Sequence, residues 1–253
     1  MEQAVQSPSF RRFESARGAI ALDFDLEATP QVVTSILAAC AADVVTEEDL
    51  WALPVGTRIR YLLTIIGLEP EPTLWARRQC ANDACGEPIE IDLTPAELIA
   101  LAEEQAGTFA TVATSRASFR VRKPTGRDQR AWQSREFDDE SEALRALATD
   151  LVTTGAESVL GDGLVAIVEE ALAELDPLVC LELSLACPYC HEVRRYEFDP
   201  LALVLVRFRD LQERLVDDVH ALASHYHWAE TEILAVPAAR RARYLELIEL
   251  GSA

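Results

Sequence analysis

The sequence predicts an α+β protein that is mostly helical and carries two β-hairpins with paired cysteines. Three observations support this fold class. Apolar residues recur at helical spacing through much of the chain, above all after Pro200. Short alternating stretches flank two cysteine pairs, and 101 residues separate Cys85 from Cys187. We therefore expect a ribbon of two hairpins, split by a helical insertion and followed by a C-terminal helical hairpin.

Composition narrows the classes of function. Asp and Glu number 43 against 23 Lys and Arg, which gives a formal charge of −20 over 253 residues. A surface this acidic repels phosphate, so nucleic-acid binding is not expected. No apolar run reaches the length of a membrane span, and the N-terminus lacks the apolar segment of a signal peptide. We predict a cytoplasmic protein, in which paired cysteines suggest a metal before a disulfide.

The N-terminal part is expected to be an arm followed by a strand and a helix. Residues 1–19 are polar and predict the arm, and residues 20–79 form the first predicted segment. The alternation in "AIALDFDL", residues 19–26, predicts a strand. Thr29 as N-cap and Pro30 at the first position predict the start of a helix.

A second helical stretch is predicted over residues 46–68. Thr46 and Asp49 have nearly the spacing of a capping box at its start. Pro54 is expected to restart the helix, because proline is not tolerated in a helix interior. Gly67 is expected to end it.

The middle of the chain divides into three predicted segments. Residues 80–110 hold the first cysteine pair and a short helix, and residues 179–200 hold the second pair between two strands. Residues 111–178 lie between them as an inserted segment of strands and helices. Helical patterns fill 127–153 and 162–176, which makes the insertion largely helical.

Residues 201–253 are expected to form C-terminal helices. Asp199 and Pro200 predict an N-cap and first turn, and Pro237 restarts the last helix. A second apolar face on the first turns of the long helix suggests burial by the core or by another chain, and it consists of Leu203, Val204 and Val206.

The C-terminal tail matches the spacing of residues 50–66. Pro54, Arg58 and Tyr61 correspond in order to Pro237, Arg241 and Tyr244. We interpret the match as a shared way of packing helices.

The four cysteines Cys80, Cys85, Cys187 and Cys190 predict a structural zinc site. Each pair is followed by a turn residue and then by a strand, so each hairpin presents two thiolates, as a tetrahedral four-cysteine site requires. His191 directly follows a ligand and is expected to be a turn residue. Cys40 and Cys180 lack such spacing and are expected to be buried.

Other uses of the thiols are less favoured. A redox Cys-x-x-Cys begins a helix, whereas a strand follows Cys190. Cys85-Gly86-Glu87 superficially matches the motif of zinc deaminases, but that motif lies on a helix and "PIEIDL" predicts a strand. Four thiolates would also leave no open position for water.

Several of these segments together resemble a known family. "LPVGTRIRYLL", "LELSLACPYCHEVRRYEFDP" and "HWAETEILAVPAARRARYLELI" are similar to the zinc-ribbon baseplate proteins of contractile phage tails and phage-tail-like injection systems. The resemblance begins near residue 45. Members usually have glycine after the last cysteine and a serine or similar cap after the tryptophan, where this chain has His191 and Ala229.

The resemblance implies a structural subunit of a baseplate or hub, without enzymatic activity, that joins spike, tube and wedge proteins in a multi-subunit particle. Arg120 and Arg122 lie in the one locally basic stretch and could face an acidic neighbour, although an ordinary solvated strand face is the simpler interpretation. The residues predicted to contact partners are Leu203, Val204, Val206, Arg120, Arg122, Trp228 and Tyr244.

Three alternatives stay open. An assembly chaperone would share the acidic surface and helical hairpin but be absent from the finished particle. A deaminase-like enzyme would depend on Glu87. A nucleic-acid-binding zinc ribbon is opposed by the charge of −20.

Overall fold

The computed structural model describes residues 8–16, 18–25, 27–103, 107–113, 118–154, 163–179 and 181–251. Its helices are α1 (Thr29–Cys40), α2 (Glu47–Ala52), α3 (Val55–Ile66), α4 (Pro95–Glu103), α5 (Gly126–Gln133), α6 (Glu140–Leu151), α7 (Leu164–Leu175), α8 (Pro200–Tyr226), α9 (Glu230–Ala235) and α10 (Ala238–Gly251). Its strands are β1 (Leu74–Gln79), β2 (Pro88–Leu93), β3 (Phe109–Ala113), β4 (Ser118–Arg122), β5 (Val152–Thr154), β6 (Leu181–Ala186) and β7 (Val193–Phe198).

The predicted class, a mostly helical α+β protein, is confirmed. The strands form three small antiparallel sheets with the orders β1-β2, β3-β4-β5 and β6-β7. Among the described residues, no helix combines the length and apolar character needed to cross a membrane.

Local capping explains where several helices begin. The Thr46 hydroxyl accepts the backbone N–H of Asp49, whose carboxylate accepts the N–H of Thr46, so the predicted capping box is present at α2. Pro54 precedes α3 and separates it from α2, as predicted. Asp199 caps α8 by accepting the N–H of Ala202, with Pro200 in the first turn.

The N-terminal part differs from the prediction. Residues 19–21 form a 3-10 turn, and residues 22–25, the rest of the predicted strand that the structure describes, form no strand. The expected arm is attached to the core, because Phe13 is fully buried and its N–H donates to Glu69. Thr29 is the first helical residue of α1, and Ala28 occupies the cap position. Packing against α8 and α1 therefore overrides the local alternation.

The main core contains α1, α3, α8 and the ends of the four hairpin strands β1, β2, β6 and β7 that lie far from the cysteines. Its centre is fully buried and includes Ile36, Leu37, Leu62, Leu63, Ile65, Ile66 and Phe208. The inserted lobe has a core of its own between the β3-β4-β5 sheet and helices α6 and α7, centred on Phe119, Val121 and Val168. The hairpin strands β1, β2, β6 and β7 are thus rooted in the main core, with their tips free to meet.

A distant carboxylate caps α3. Asp176, at the end of α7, accepts the backbone N–H of Gly56 at 3.2 Å, across 120 positions of sequence. Pro54 makes no side-chain cap of its own, so the contact supplies a partner for the first turn. Burial raises the pKa of the Asp176 carboxyl, partly offset by the charge of Lys123 and by the Gly56 N–H. The insertion is thereby joined to the main core.

The α2–α3 and α9–α10 pairs each contain a buried arginine at the matching position. Arg58 is 1% exposed and its guanidinium donates to the Pro30 carbonyl at 2.7 Å. Arg241, four residues after Pro237 as Arg58 is after Pro54, is 2% exposed and donates to the carbonyls of Val236 and Glu14. The predicted correspondence in spacing is therefore matched by a correspondence in burial.

Candidate metal centre

Two hairpins of equal strand length carry the cysteine pairs. In the first, β1 pairs with β2 from Leu74 opposite Leu93 to Gln79 opposite Pro88. In the second, β6 pairs with β7 from Leu181 opposite Phe198 to Ala186 opposite Val193. The cysteines begin directly after the last pair of each ladder, so both tips present two thiols.

The four predicted cysteines come together at these tips. The Sγ atoms of Cys80 and Cys190 are 3.6 Å apart, and those of Cys85 and Cys187 are 3.8 Å apart. All four Sγ atoms lie within 4.8 Å of one another. Sulfurs bound to one ion at about 2.3 Å in a tetrahedron would be about 3.8 Å apart. The cluster therefore has the spacing of a four-coordinate metal site, and both short contacts join one hairpin to the other.

The two turns have the same backbone geometry. Gly86 has a φ of 62° and His191 a φ of 61°, both in the left-handed region. In each turn this residue donates its N–H to the backbone carbonyl four positions earlier, His191 to Cys187 and Gly86 to Asn82. His191 is exposed and is absent from the ligand cluster, which confirms its prediction as a turn residue. A histidine there carries a steric cost that glycine avoids.

The thiols differ in their tendency to ionise. The backbone N–H of Cys190, together with that of Tyr189, lowers the pKa of Cys187 to about 7. The N–H of Glu87 lowers the pKa of Cys85, but burial and contacts with the other thiols raise it to about 12. Four thiolates this close repel one another unless a cation compensates them. A divalent ion would favour the deprotonated form of all four.

Further contacts hold the hairpins together outside the sulfur cluster. The Ala81 N–H donates to the Tyr196 hydroxyl at 3.0 Å, and the Arg78 guanidinium donates to the Glu197 carbonyl at 3.0 Å. The Asn82 amide lies 3.9 Å from the Cys190 sulfur, where it can stabilise a thiolate. Sequence reasoning missed Asn82, although a polar residue two positions after a ligand cysteine is a usable signal.

Cys40 lies in the main core, apart from the four-cysteine cluster, and Glu87 lies outside the helices. Cys40 is fully buried, as predicted, and burial raises its pKa to about 12. Cys180 lies outside the described residues. Glu87 lies in the turn before β2, and its carbonyl accepts the Cys80 N–H. The strand predicted after Cys85 is present, where the deaminase motif requires a helix.

Two residues predicted to contact partners have structural roles in the chain itself. Val204 is fully buried in the main core, so this part of the second apolar face of α8 is used internally. Arg122 forms a bidentate pair with Asp128, with contacts of 2.6 and 2.8 Å, and donates to the Asp150 carbonyl. The prediction for Val204 is therefore corrected, whereas partner contact by Arg122, whose side chain is partly exposed, stays a prediction. Leu203 is half-buried against the core.

The remaining candidates are more accessible. Val206 is 56% exposed on α8. The Arg120 guanidinium lies 4.3 Å from the centroid of the Phe109 ring on the neighbouring strand. Trp228 and Tyr244 are half-buried and their rings meet edge to face at 5.3 Å. Of the predicted contact residues, Val206 thus presents the most open apolar surface.

Comparison with models of protein families, with curated proteins and with solved structures finds no match.

Proposed function

We propose that this chain is a zinc-clamped structural subunit of the baseplate or hub of a contractile, phage-tail-like injection particle. The observation that carries the proposal is the cluster of four cysteine sulfurs, all within 4.8 Å of one another, at the tips of two hairpins distant in sequence. Such a cluster fixes the relative position of two chain segments, which is the role of a structural metal.

Zinc is the metal that suits this donor set best. Four thiolates in a tetrahedron are typical of structural zinc sites, and the sulfur separations of 3.6 and 3.8 Å agree with that geometry. Cys80, Cys85, Cys187 and Cys190 would hold the ion with every coordination position filled by the protein. The ion would supply folding free energy, since its ligands come from both hairpins.

The assignment to an injection particle rests on the family resemblance of the knuckles and C-terminal helices, and on accessible apolar surface suited to partners. Val206 supplies such surface on α8, and Val193 of the second hairpin is 62% exposed. In a multi-subunit particle these side chains would be covered by spike, tube or wedge proteins.

Metal analysis of the full-length chain tests the clamp. We expect about one zinc per chain by elemental mass spectrometry of the acid-digested protein. Cys187→Ser is expected to lose the metal, whereas Cys40→Ala, which removes a buried thiol outside the cluster, is expected to keep it. Equal zinc content in both variants would contradict the proposed site.

The particle role is tested separately, by purification of a tagged chain from cells that make the particle. We expect it to co-purify with sheath and tube proteins and to be present in finished particles by mass spectrometry. Association during assembly but absence from finished particles would favour the chaperone alternative. Absence from both would overturn the assignment.

A further inference from the structure

An acidic groove with an apolar floor lies between α7 and the second hairpin. Its volume is about 810 Å³, within the range of protein binding pockets. The floor combines buried and accessible apolar side chains, and these are Leu101, Ala173, Pro177, Val179, Leu181 and Phe198. Leu101 of α4 is 43% exposed there, so the floor is open to a partner.

Four glutamates form the rim of this groove. Glu169 and Glu170 project from α7, and Glu182 and Glu197 come from the hairpin. Among the residues that the structure describes as lining the groove, none is lysine or arginine. The lining residues themselves therefore carry one sign of charge. On the hairpin side, the Arg78 guanidinium lies 4.6 Å from the centroid of the Phe198 ring and donates to the Glu197 backbone carbonyl, not to its carboxylate.

On the hairpin side of the rim, two glutamates of like charge face each other across the strands. Glu182 and Glu197 are direct cross-strand partners, and like charges in that position destabilise a sheet. Arg195 offsets this only loosely, because its guanidinium lies 3.7 Å from Glu182 and both side chains are more than half exposed. A cation placed between the strands and α7 would relieve the repulsion.

We propose that this groove binds a basic amphipathic segment of another protein, with apolar side chains on the floor and Lys or Arg side chains at the four glutamates. Charge complementarity selects this occupant, since an acidic or purely apolar segment would leave the glutamates unpaired. The helix-in-groove mode of recognition combines these two kinds of contact. The proposal depends neither on the metal nor on the particle role.

The binding test uses the zinc-supplemented full-length chain and two labelled peptides in fluorescence anisotropy. One peptide is an amphipathic helix of Leu and Lys, and the other has Glu in place of every Lys. We expect the cationic peptide to bind with a Kd below about 1 mM and to weaken as salt rises. Failure of the cationic peptide to bind, or equal binding of the acidic one, would overturn the proposal.

Matched variants locate the binding site. Glu169→Gln/Glu170→Gln is expected to weaken cationic peptide binding by about three- to tenfold. The control Glu136→Gln/Glu249→Gln removes the same charge from exposed positions outside the groove lining and should have little effect. Equal weakening in both would show attraction to overall charge and contradict a defined groove.

The apolar floor requires its own variant. Leu101→Ser is expected to weaken binding of the cationic peptide by about threefold or more, because apolar surface is no longer covered. A simple polyamine should bind more weakly than the peptide. If the polyamine matches the peptide and Leu101→Ser has no effect, charge alone accounts for binding and the amphipathic occupant is wrong. Zinc content, measured in parallel, should be unchanged in every variant.

Discussion

Substitution of Cys187 by serine removes one of the four sulfurs that join the hairpin tips. Its sulfur lies 3.8 Å from that of Cys85, which is 102 positions earlier in the chain. An ion bound here would hold the folded chain only, because the unfolded chain has no preformed site. The variant is therefore expected to lose the free energy that binding of the ion adds to folding.

The expected size of the effect follows from the affinity for the ion. An ion that binds only the folded chain stabilises it by about 4.1 kcal/mol at a free concentration about 1,000 times the dissociation constant. Domains are stable by about 5–15 kcal/mol, so such a loss is a large share of the total. The roots of the hairpins should survive longest, because Leu74, Leu181 and Phe198 are buried in the main core.

Hydrogen exchange and urea unfolding measure the two consequences. In the tips, the N–H groups of Cys80 and Cys187 donate to the carbonyls of Glu87 and Glu192, and these amides should exchange faster in the variant. With free zinc at that concentration, the free energy of unfolding should fall by about 4 kcal/mol. A zinc chelator should destabilise the natural chain but not the variant.

Two outcomes would refute this reasoning. One is a Cys187→Ser protein whose unfolding midpoint and tip exchange equal those of the natural chain. The other is a natural chain that is indifferent to the chelator while it still contains zinc at the start. Cys40→Ala serves as the control, because it removes a buried thiol from the main core and should remain sensitive to the chelator.

The remaining predictions concern the turn and the cap. His191→Gly should raise the free energy of unfolding by about 0.5–1 kcal/mol in urea with zinc content unchanged, because its φ of 61° suits glycine; Gly86→Ala at the matching position should lower it. Gly56→Ala should lower the free energy of unfolding by about 1–3 kcal/mol in the same assay, since an added Cβ would lie 1.7 Å from Asp176 Oδ1. Gly67→Ala, at an ordinary backbone conformation, is the control and should cost less. A larger loss for Gly67→Ala than for Gly56→Ala would contradict the close approach of Asp176 to Gly56. Burial raises the pKa of Asp176, so its contribution to stability is present below the ordinary pKa and is lost as the pH rises through the folded-state value. Asp176→Asn should therefore reduce the loss of stability as the pH rises above the ordinary carboxyl pKa, and it should raise stability at neutral pH. An unchanged pH profile would count against this cause.

Local signals predicted the cysteine cluster and several helix ends. Each cysteine pair lies between a strand and a turn residue, so the hairpin tips could be identified without knowledge of their meeting. Thr46, Pro54 and Asp199 act on backbone groups within a few residues of themselves, and their predicted effects are present. Such features depend on residues close together in the chain, so they can be predicted from the sequence alone.

Features that depend on distant packing were missed or wrong. The alternation of residues 19–26 predicted a strand, but the segment turns and packs against α8, where Gln212 donates to the carbonyls of Ala19 and Leu22. The sequence placed Val204 on a second apolar face of the long helix, but it could not show that this face is buried by the chain's own core at Val204. The cap that Asp176 gives to α3 has no local signature, because 120 positions separate it from Gly56.

The separation of the two cysteine pairs also affects how the protein is made. The first hairpin leaves the ribosome with Cys80 and Cys85 unpaired, and the remaining ligands follow 102 positions behind Cys85. At about 5–20 residues per second, synthesis of that interval takes about 5–20 s. During this time the first tip is a two-thiol site that can capture an ion or be oxidised before its partner exists. With the proposed ion, the order of synthesis would make timely delivery of metal, and not only its affinity, a determinant of the yield of folded protein.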